Sequence, residues 1–335
     1  MTDPAPPSNI TGLQVEGLTV TVPAAGGRAE VVHDVSFAAA HGEAIGLVGE
    51  SGSGKSMTLR ATMALLPRVA SADAGSVVLD GEPLPFAGRH ARTLRRGRIA
   101  LVFQDAASAL DPVRTVGSQI GEVAHRVAGL GRADTRTRTL ELLELVGIRD
   151  PARRARSYPH ELSGGMRQRA MLAVALAGEP SALLCDEPTT ALDVTVQAQV
   201  LALIGELRHR LSLAVVFVSH DLAVIRQVCE LVSVMYAGRI VETGPTAAIL
   251  DRPRHPYTRG LLEAVVDLDS SDAMPEPIPG VVPELAAPGL RPPGCPFAPR
   301  CPLAGPECSV AEIPLEWIDS ERRVACLHHD LVPAP

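Results

Sequence analysis

Eight consecutive residues, Gly49-Glu50-Ser51-Gly52-Ser53-Gly54-Lys55-Ser56, fit the pattern G-x-x-x-x-G-K-[ST]. Glycines at that spacing let the backbone wrap so that its N–H groups point at an anion, and a helix starting there adds the positive end of its dipole. The Lys55 ammonium can then reach the β and γ phosphates of ATP, and the Ser56 hydroxyl can ligate Mg2+. Further along, Ala182-Leu183-Leu184-Cys185-Asp186-Glu187 is an apolar run that delivers two carboxylates at its end. Asp186 suits a Mg2+ ligand acting through water, and Glu187 a general base that polarises the attacking water. Paired acids after a strand are common; the phosphate-loop pattern upstream is what turns this pair into a hydrolytic site.

Such groups need a strand ahead of the glycines and a helix behind them. The apolar run 44–48 supplies the first, and the pattern predicts a helix over 56–66, with Leu59, Met63 and Leu66 on one face and Pro67 as its stop. Short apolar runs at 99–103, 182–186, 214–219 and 231–236 alternate with helical patterns, which predicts an α/β core: a mostly parallel sheet with helices on both faces. From Leu13 to Phe37 the residues alternate apolar and polar around a Pro-Ala-Ala-Gly-Gly turn, the mark of antiparallel strands. Between Gln104 and Leu162 strand signals vanish, and Asp134 can cap a helix that ends at Gly147, so an inserted helical subdomain is expected over about 105–165. The expected organisation is a lead-in at 1–10, a nucleotide-hydrolysing domain at 11–250 and an extension at 251–335, where 16 of the 29 prolines and four of the six cysteines lie.

The bulk composition narrows the function classes. The chain has 335 residues, 46% apolar and 21% charged, with only 3% aromatic, so Ala, Val and Leu must fill the core. A net charge of −7 gives no overall field to gather nucleic acid, and nucleic acid is not an expected partner. No apolar stretch approaches the roughly 18 residues that span a bilayer, and the first ten residues lack the basic and apolar regions of a secretory signal. A reducing cytoplasmic setting follows, in which six cysteines are poor candidates for structural disulfides. The arginine-rich segments 89–98 and 149–156 read as solvated helix faces.

Leu162-Ser163-Gly164-Gly165-Met166, ahead of a helix expected near Arg167 and about 20 residues before Asp186, resembles the signature motif of the ABC ATPase family. The resemblance implies that Ser163, Gly164 and Gly165 bind the γ-phosphate of ATP held by a second ATPase subunit. It also implies that Gln104 is the Q-loop residue sensing Mg2+ and the attacking water, that Asp193 in Ala191-Leu192-Asp193 belongs to the D-loop, and that His220 is the switch histidine. The family stacks adenine on an aromatic residue; here Val22 stands at the matching position.

Val102-Phe103-Gln104-Asp105, Ser108-Ala109-Leu110-Asp111-Pro112, Tyr158-Pro159-His160-Glu161-Leu162 and His255-Pro256-Tyr257-Thr258 resemble the peptide and nickel permease branch, although Ala106 replaces the proline usual after its Q-loop. That resemblance implies an importer motor on the cytoplasmic face of the membrane, paired with a second cassette, docked on two transmembrane permease subunits and served by an extracytoplasmic solute-binding protein. A soluble ABC ATPase acting on nucleic acid or ribosomes is the alternative, disfavoured by a single cassette with no sustained heptads. Cys295, Cys301, Cys308 and Cys326 follow C-x5-C-x6-C-x17-C with proline after two of them. The spacing suits a four-iron four-sulfur cluster, with zinc as the alternative and free thiols or a disulfide as the third. Cys185 and Cys229 fall in the expected core as small apolar residues.

Overall fold

In the computed structural model, which describes residues 11–190, 192–264, 277–281 and 293–333, twelve strands are found among the described residues. They are β1 (Gly12–Ala24), β2 (Gly27–Ala40), β3 (Ala44–Val48), β4 (Ser71–Leu79), β5 (Glu82–Pro83), β6 (Ile99–Val102), β7 (Ala182–Asp186), β8 (Ala214–Ser219), β9 (Leu231–Tyr236), β10 (Arg239–Pro245), β11 (Glu316–Trp317) and β12 (Arg323–Val324). The chain divides into two compact units, one built on Ala39–Glu43 and Leu79–Phe217, the other on Gln14–Ala38, Ala44–Val78 and the residues from Val218 onward. The expected lead-in at 1–10 and Ala191 of the expected D-loop lie outside the described residues.

In the unit containing Leu79–Phe217 the strand order is β8-β7-β6. β6 and β7 run parallel, with Ile99 opposite Ala182 and Val102 opposite Cys185. The side chains of β8 are all buried, as are the first four of β7, the pattern of strands covered on both faces. Between β6 and β7 the described residues form helices and turns, chiefly Val116–Arg126, Arg132–Leu145 and Gly164–Leu176.

Two helix starts differ from expectation. Gly131, not Asp134, occupies the N-cap of Arg132–Leu145, and Asp134 sits in the first turn, where its charge complements the helix dipole. Gly164–Leu176 starts at Gly164 rather than near Arg167, because Ser163 caps it. The arginine segment at 89–98 is not wholly solvated either. Arg95 is buried, its guanidinium donates to the carbonyls of Leu84, Pro85 and Ala91, and burial lowers its pKa to about 10.

In the other unit β2, β1 and β4 form a sheet in that order, and a second sheet runs β11-β12-β10-β9-β3. β3 and β9 pair in parallel, whereas β9–β10, β10–β12 and β11–β12 are antiparallel. The helix after the glycine loop is Lys55–Thr62, shorter than the predicted 56–66. It stops because Ala64 takes a positive φ of 54°, which lets the Leu65 N–H reach back to the Arg60 carbonyl at 2.8 Å and closes the helix before Pro67 can.

The C-terminal extension contributes to this unit's core. β12 pairs with β10, Val324 opposite Glu242, and the helix Pro256–Glu263 starts at His255. Tyr236 of β9, Tyr257 and Phe297 form a ring cluster with centroids 4.5 to 5.4 Å apart. In a chain so poor in aromatic residues, this cluster concentrates apolar area where the extension meets β9.

Candidate functional site

The phosphate loop follows β3, as its pattern requires. Gly49 has φ +151°, and a Cβ there would lie 2.1 Å from the Met235 carbonyl oxygen; at Gly54, φ is +104° and a Cβ would meet the Val31 carbonyl at 2.9 Å. Glycine is therefore required at both positions by backbone approach as well as by conformation. Gly54 stands at the N-cap of Lys55–Thr62 with no side-chain cap, which leaves the helix N-terminus to serve an anion. Lys55 is buried, and its ammonium donates to the carbonyls of Gly49 at 2.7 Å and Glu50 at 2.9 Å and to the Ser53 hydroxyl at 3.3 Å. Ser51 and Gly52 are exposed and Ser56 is half-buried. His220, in the same unit, is exposed after β8, next to Asp221, which caps the helix Leu222–Val228.

The unit containing β6 and β7 holds the carboxylates. Gln104 and Glu187 each stand two residues beyond the paired Val102 and Cys185, so parallel register carries both to the same end of the sheet. The Gln104 amide donates to the Glu187 carboxylate at 3.2 Å, and the Thr190 hydroxyl donates to the same oxygen at 3.0 Å. Glu187 has φ +48°, a conformation that non-glycine residues rarely take and that clusters at functional sites. Asp186 is half-buried at the end of β7.

The signature residues lie at a helix start in this unit. The Ser163 hydroxyl accepts from Met166 N–H at 3.3 Å, Gly164 is exposed, and a Cβ on Gly165 would be 2.5 Å from Val196 of the helix Val194–Arg210. That helix is capped by Asp193, whose carboxylate accepts from Val196 N–H at 3.0 Å. A small cleft lined by Gln104, Gly164, Arg167, Pro188 and Leu192 joins the Q-loop position to the signature helix.

Cys295 and Cys308 are buried, while Cys301 and Cys326 are half-buried. The Cys295 N–H donates to the Cys308 carbonyl at 2.7 Å, and a Cβ on Gly294 would be 2.0 Å from that oxygen, so this crossing requires glycine. Burial first, and then the neighbouring cysteines, push the thiols of Cys295 and Cys301 above their ordinary range and that of Cys326 up to about 12. Thiols are donors of the kind that a soft metal ion or an iron–sulfur cluster takes, but among the described residues only Cys308 of the four joins a group whose ligand atoms lie within 4.8 Å of one another, with Glu307 and His328. Cys185 and Cys229 are buried in the strand and helix core, where the sequence puts them.

Several residues here carry no motif. Glu307 and His328 bring an oxygen and a ring nitrogen within 4.8 Å of the Cys308 sulfur and of each other. Arg300, in the cysteine segment, forms a two-pronged ion pair with Glu50 of the phosphate loop. No motif or spacing in the sequence links Arg300 to Glu50.

The chain is similar to known proteins along most of its length. The family model described as ABC transporter matches residues 32–190, and that described as Oligopeptide/dipeptide transporter, C-terminal region, matches residues 241–308. A Brucella abortus protein named "Putative peptide import ATP-binding protein" is 49% identical over 298 residues, covering 88% of this chain and 89% of that protein. The oligopeptide transport ATP-binding protein OppD of Mycobacterium bovis is 46% identical over 96% of this chain and 52% of its own length. Among solved structures, cbiO1 of Clostridium perfringens, part of an ABC transporter complex, superimposes with a TM-score of 0.62 at 25% identity, over 72% of this chain and 90% of that one. The ATP-binding cassette MJ0796, solved as a dimer in a post-hydrolysis state with ADP and Pi, gives 0.61 at 28% identity, over 70% and 98%.

Proposed function

The chain belongs to the ABC transporter family, as one of its ATP-binding proteins, and from that premise we propose that it is the ATP-hydrolysing motor of a peptide importer. The contact between Gln104 and Glu187 carries the hydrolytic part of this reading, because it holds the candidate base at the strand end where the attacking water must be activated. The backbone of Gly49 to Ser56 and the Lys55 ammonium bind the triphosphate, and Ser56 and Asp186 would each offer an oxygen to Mg2+, which would supply charge neutralisation to the phosphates. Glu187 takes the proton of the attacking water. Ser163, Gly164, Gly165 and Asp193 act on ATP bound by a second cassette, His220 senses the γ-phosphate, and the dimeric state of the MJ0796 cassette supports this pairing.

In this reading the second cassette is a different chain. The pair sits at the cytoplasmic face on two transmembrane permease subunits, with an extracytoplasmic solute-binding protein delivering a di- or oligopeptide. The match of the C-terminal region to the oligopeptide/dipeptide transporter model supports the cargo class. No helix among the described residues is long and apolar enough to cross a membrane. In this reading Cys295, Cys301, Cys308 and Cys326 would hold a four-iron four-sulfur cluster, which would tie down a proline-rich segment; zinc is the competing occupant.

The test is anaerobic purification of the tagged chain from its native membrane, with mass spectrometry of partners, iron and sulfide analysis, and ATP hydrolysis with and without peptide-loaded binding protein. Two multi-pass proteins, a related ATPase and peptide-stimulated hydrolysis are expected. Ribosomal proteins or nucleic acid in their place reject the transporter reading, and zinc without iron rejects the cluster.

A further inference from the structure

Glu50 is one of the four residues that the phosphate-loop pattern leaves open, and a carboxylate there is a liability. An incoming triphosphate brings several negative charges to the same loop, and a neighbouring anion in a partly desolvated site opposes them. The structure answers this with Arg300, which lies 250 residues away in sequence and directly before Cys301. One guanidinium nitrogen donates to Glu50 Oε2 at 2.8 Å and the other to Oε1 at 3.1 Å, the two-pronged geometry that fixes a carboxylate in plane.

The rest of the guanidinium is used as fully. Its Nε donates to the Pro279 carbonyl at 2.8 Å, Nη2 donates also to the Ile278 carbonyl at 3.2 Å, and Nη1 reaches the Tyr236 hydroxyl at 3.4 Å. Five donors meet five acceptors, with the carbon at the centre of the guanidinium 5.8 Å from the ring centroids of both Tyr236 and Phe297. The Arg300 side chain is only 4% exposed and that of Glu50 24%, so the guanidinium cannot cheaply exchange its carboxylate partner for water. On the backbone side of the same residue, the Glu50 N–H donates to the Tyr257 hydroxyl at 2.7 Å. Both handles of Glu50 are thus held by the segment after β10, a segment outside every nucleotide motif.

We propose that Arg300 is a positioning residue for nucleotide binding: it neutralises Glu50 and draws its carboxylate away from the triphosphate path, making the cysteine-bearing extension part of the phosphate-loop machinery. This rests on the reading of residues 49–56 as an ATP loop. It predicts a pattern that mere support of the extension would not produce. Arg300→Ala leaves an unpaired carboxylate beside the phosphates and weakens binding, whereas adding Glu50→Gln removes that orphan charge and restores it.

The experiment titrates the purified full-length chain with Mg2+ and the fluorescent analogue MANT-ATP, with circular dichroism recorded for every variant. Arg300→Ala is expected to raise Kd about tenfold, Glu50→Gln alone about two- to threefold, and the double variant to return to within about threefold of wild type. Arg300→Lys keeps the charge but not the fork, and is expected to lose about threefold; it decides the matter if Arg300→Ala does not fold. Wild-type affinity in Arg300→Ala or in Arg300→Lys overturns the proposal, as does a double variant no better than Arg300→Ala. A wild-type chain that fails to bind MANT-ATP at all refutes the ATP-loop reading itself, which separates the two failures.

Discussion

Gln104 donates its side-chain amide to the carboxylate of Glu187 at 3.2 Å, across the ends of two adjacent parallel strands. The contact follows from register: each residue lies two positions beyond a paired strand residue, so the loop after β6 and the acid after β7 leave the sheet side by side. Thr190 adds a second donor to the same carboxylate oxygen, and the backbone of Glu187 is held at positive φ. A base oriented by two hydrogen bonds and a strained backbone loses little freedom when it engages water.

Replacing Glu187 by Gln keeps the shape and the contacts with Gln104 and Thr190 but removes the proton acceptor. ATP turnover is expected to fall by roughly 10²-fold or more, with MANT-ATP affinity within about threefold of wild type. Gln104→Ala leaves the base present but less well held, so a smaller loss, about tenfold, is expected in turnover. Steady-state hydrolysis and nucleotide titration check both, and a Glu187→Gln protein that still hydrolyses ATP would remove Glu187 from its role.

Short-range features of this chain were legible and long-range ones were not. The strands at 44–48, 182–186, 214–219 and 231–236 form where the apolar runs lie, because a buried parallel strand is apolar throughout its length. Helix ends were less readable. Pro67 looks like the stop of the helix after the phosphate loop, yet Ala64 closes it first by adopting a conformation that alanine seldom takes. Asp134 looks like a cap, but Gly131 sets the helix start three residues earlier. The pairing of Arg300 with Glu50 leaves no local trace at all. Nothing near either residue in sequence points to the other, and only the folded extension brings the guanidinium to the loop.

Ser163 and Asp193 each cap a helix, so the signature and D-loop positions combine a stability role with the one proposed toward a second cassette. Ser163→Ala and Asp193→Ala should each lower unfolding free energy by about 1 kcal/mol in urea titrations. Ser163→Asp separates the roles, since aspartate caps as well as serine but would place a negative charge against the partner's γ-phosphate. It should unfold like wild type and lose ATP turnover in the paired complex; full turnover would leave Ser163 as a cap alone.

Val22 lies in β1 where the resemblance calls for an aromatic residue to stack on adenine. Base stacking on an aromatic ring is worth roughly 1 to 3 kcal/mol, so Val22→Tyr is expected to tighten MANT-ATP binding about fivefold or more. The gain should be smaller for a triphosphate with a smaller base, which offers less surface to stack. An unchanged Kd for ATP would mean that adenine is held elsewhere.

Two buried groups near the start of the extension should shape stability against pH in opposite directions. Burial keeps His255 neutral, lowering its pKa from 6.5 to about 3, while its Nδ1 accepts from the Tyr257 N–H at 3.1 Å. Burial raises Glu242 from 4.5 to about 7, only partly offset by bonds from Thr258 and the N–H groups of Arg254 and His255 and by the Arg322 charge. As pH falls from 6.5 to about 3 the unfolded chain gains a proton on His255 that the folded chain does not, so stability drops. As pH rises from 4.5 to about 7 the folded chain keeps a proton on Glu242 that the unfolded chain has lost, so stability drops in that direction. Each slope is about 1.4 kcal/mol per pH unit per proton, and the two nearly cancel between 4.5 and 6.5. His255→Asn should therefore gain on wild type as pH falls below 6.5, and Glu242→Gln should gain as pH rises from 4.5 toward 7. Urea unfolding of the three proteins at acidic, intermediate and neutral pH reads the differences directly, and pH-independent gaps between variant and wild type would show that neither group is held in its uncharged form.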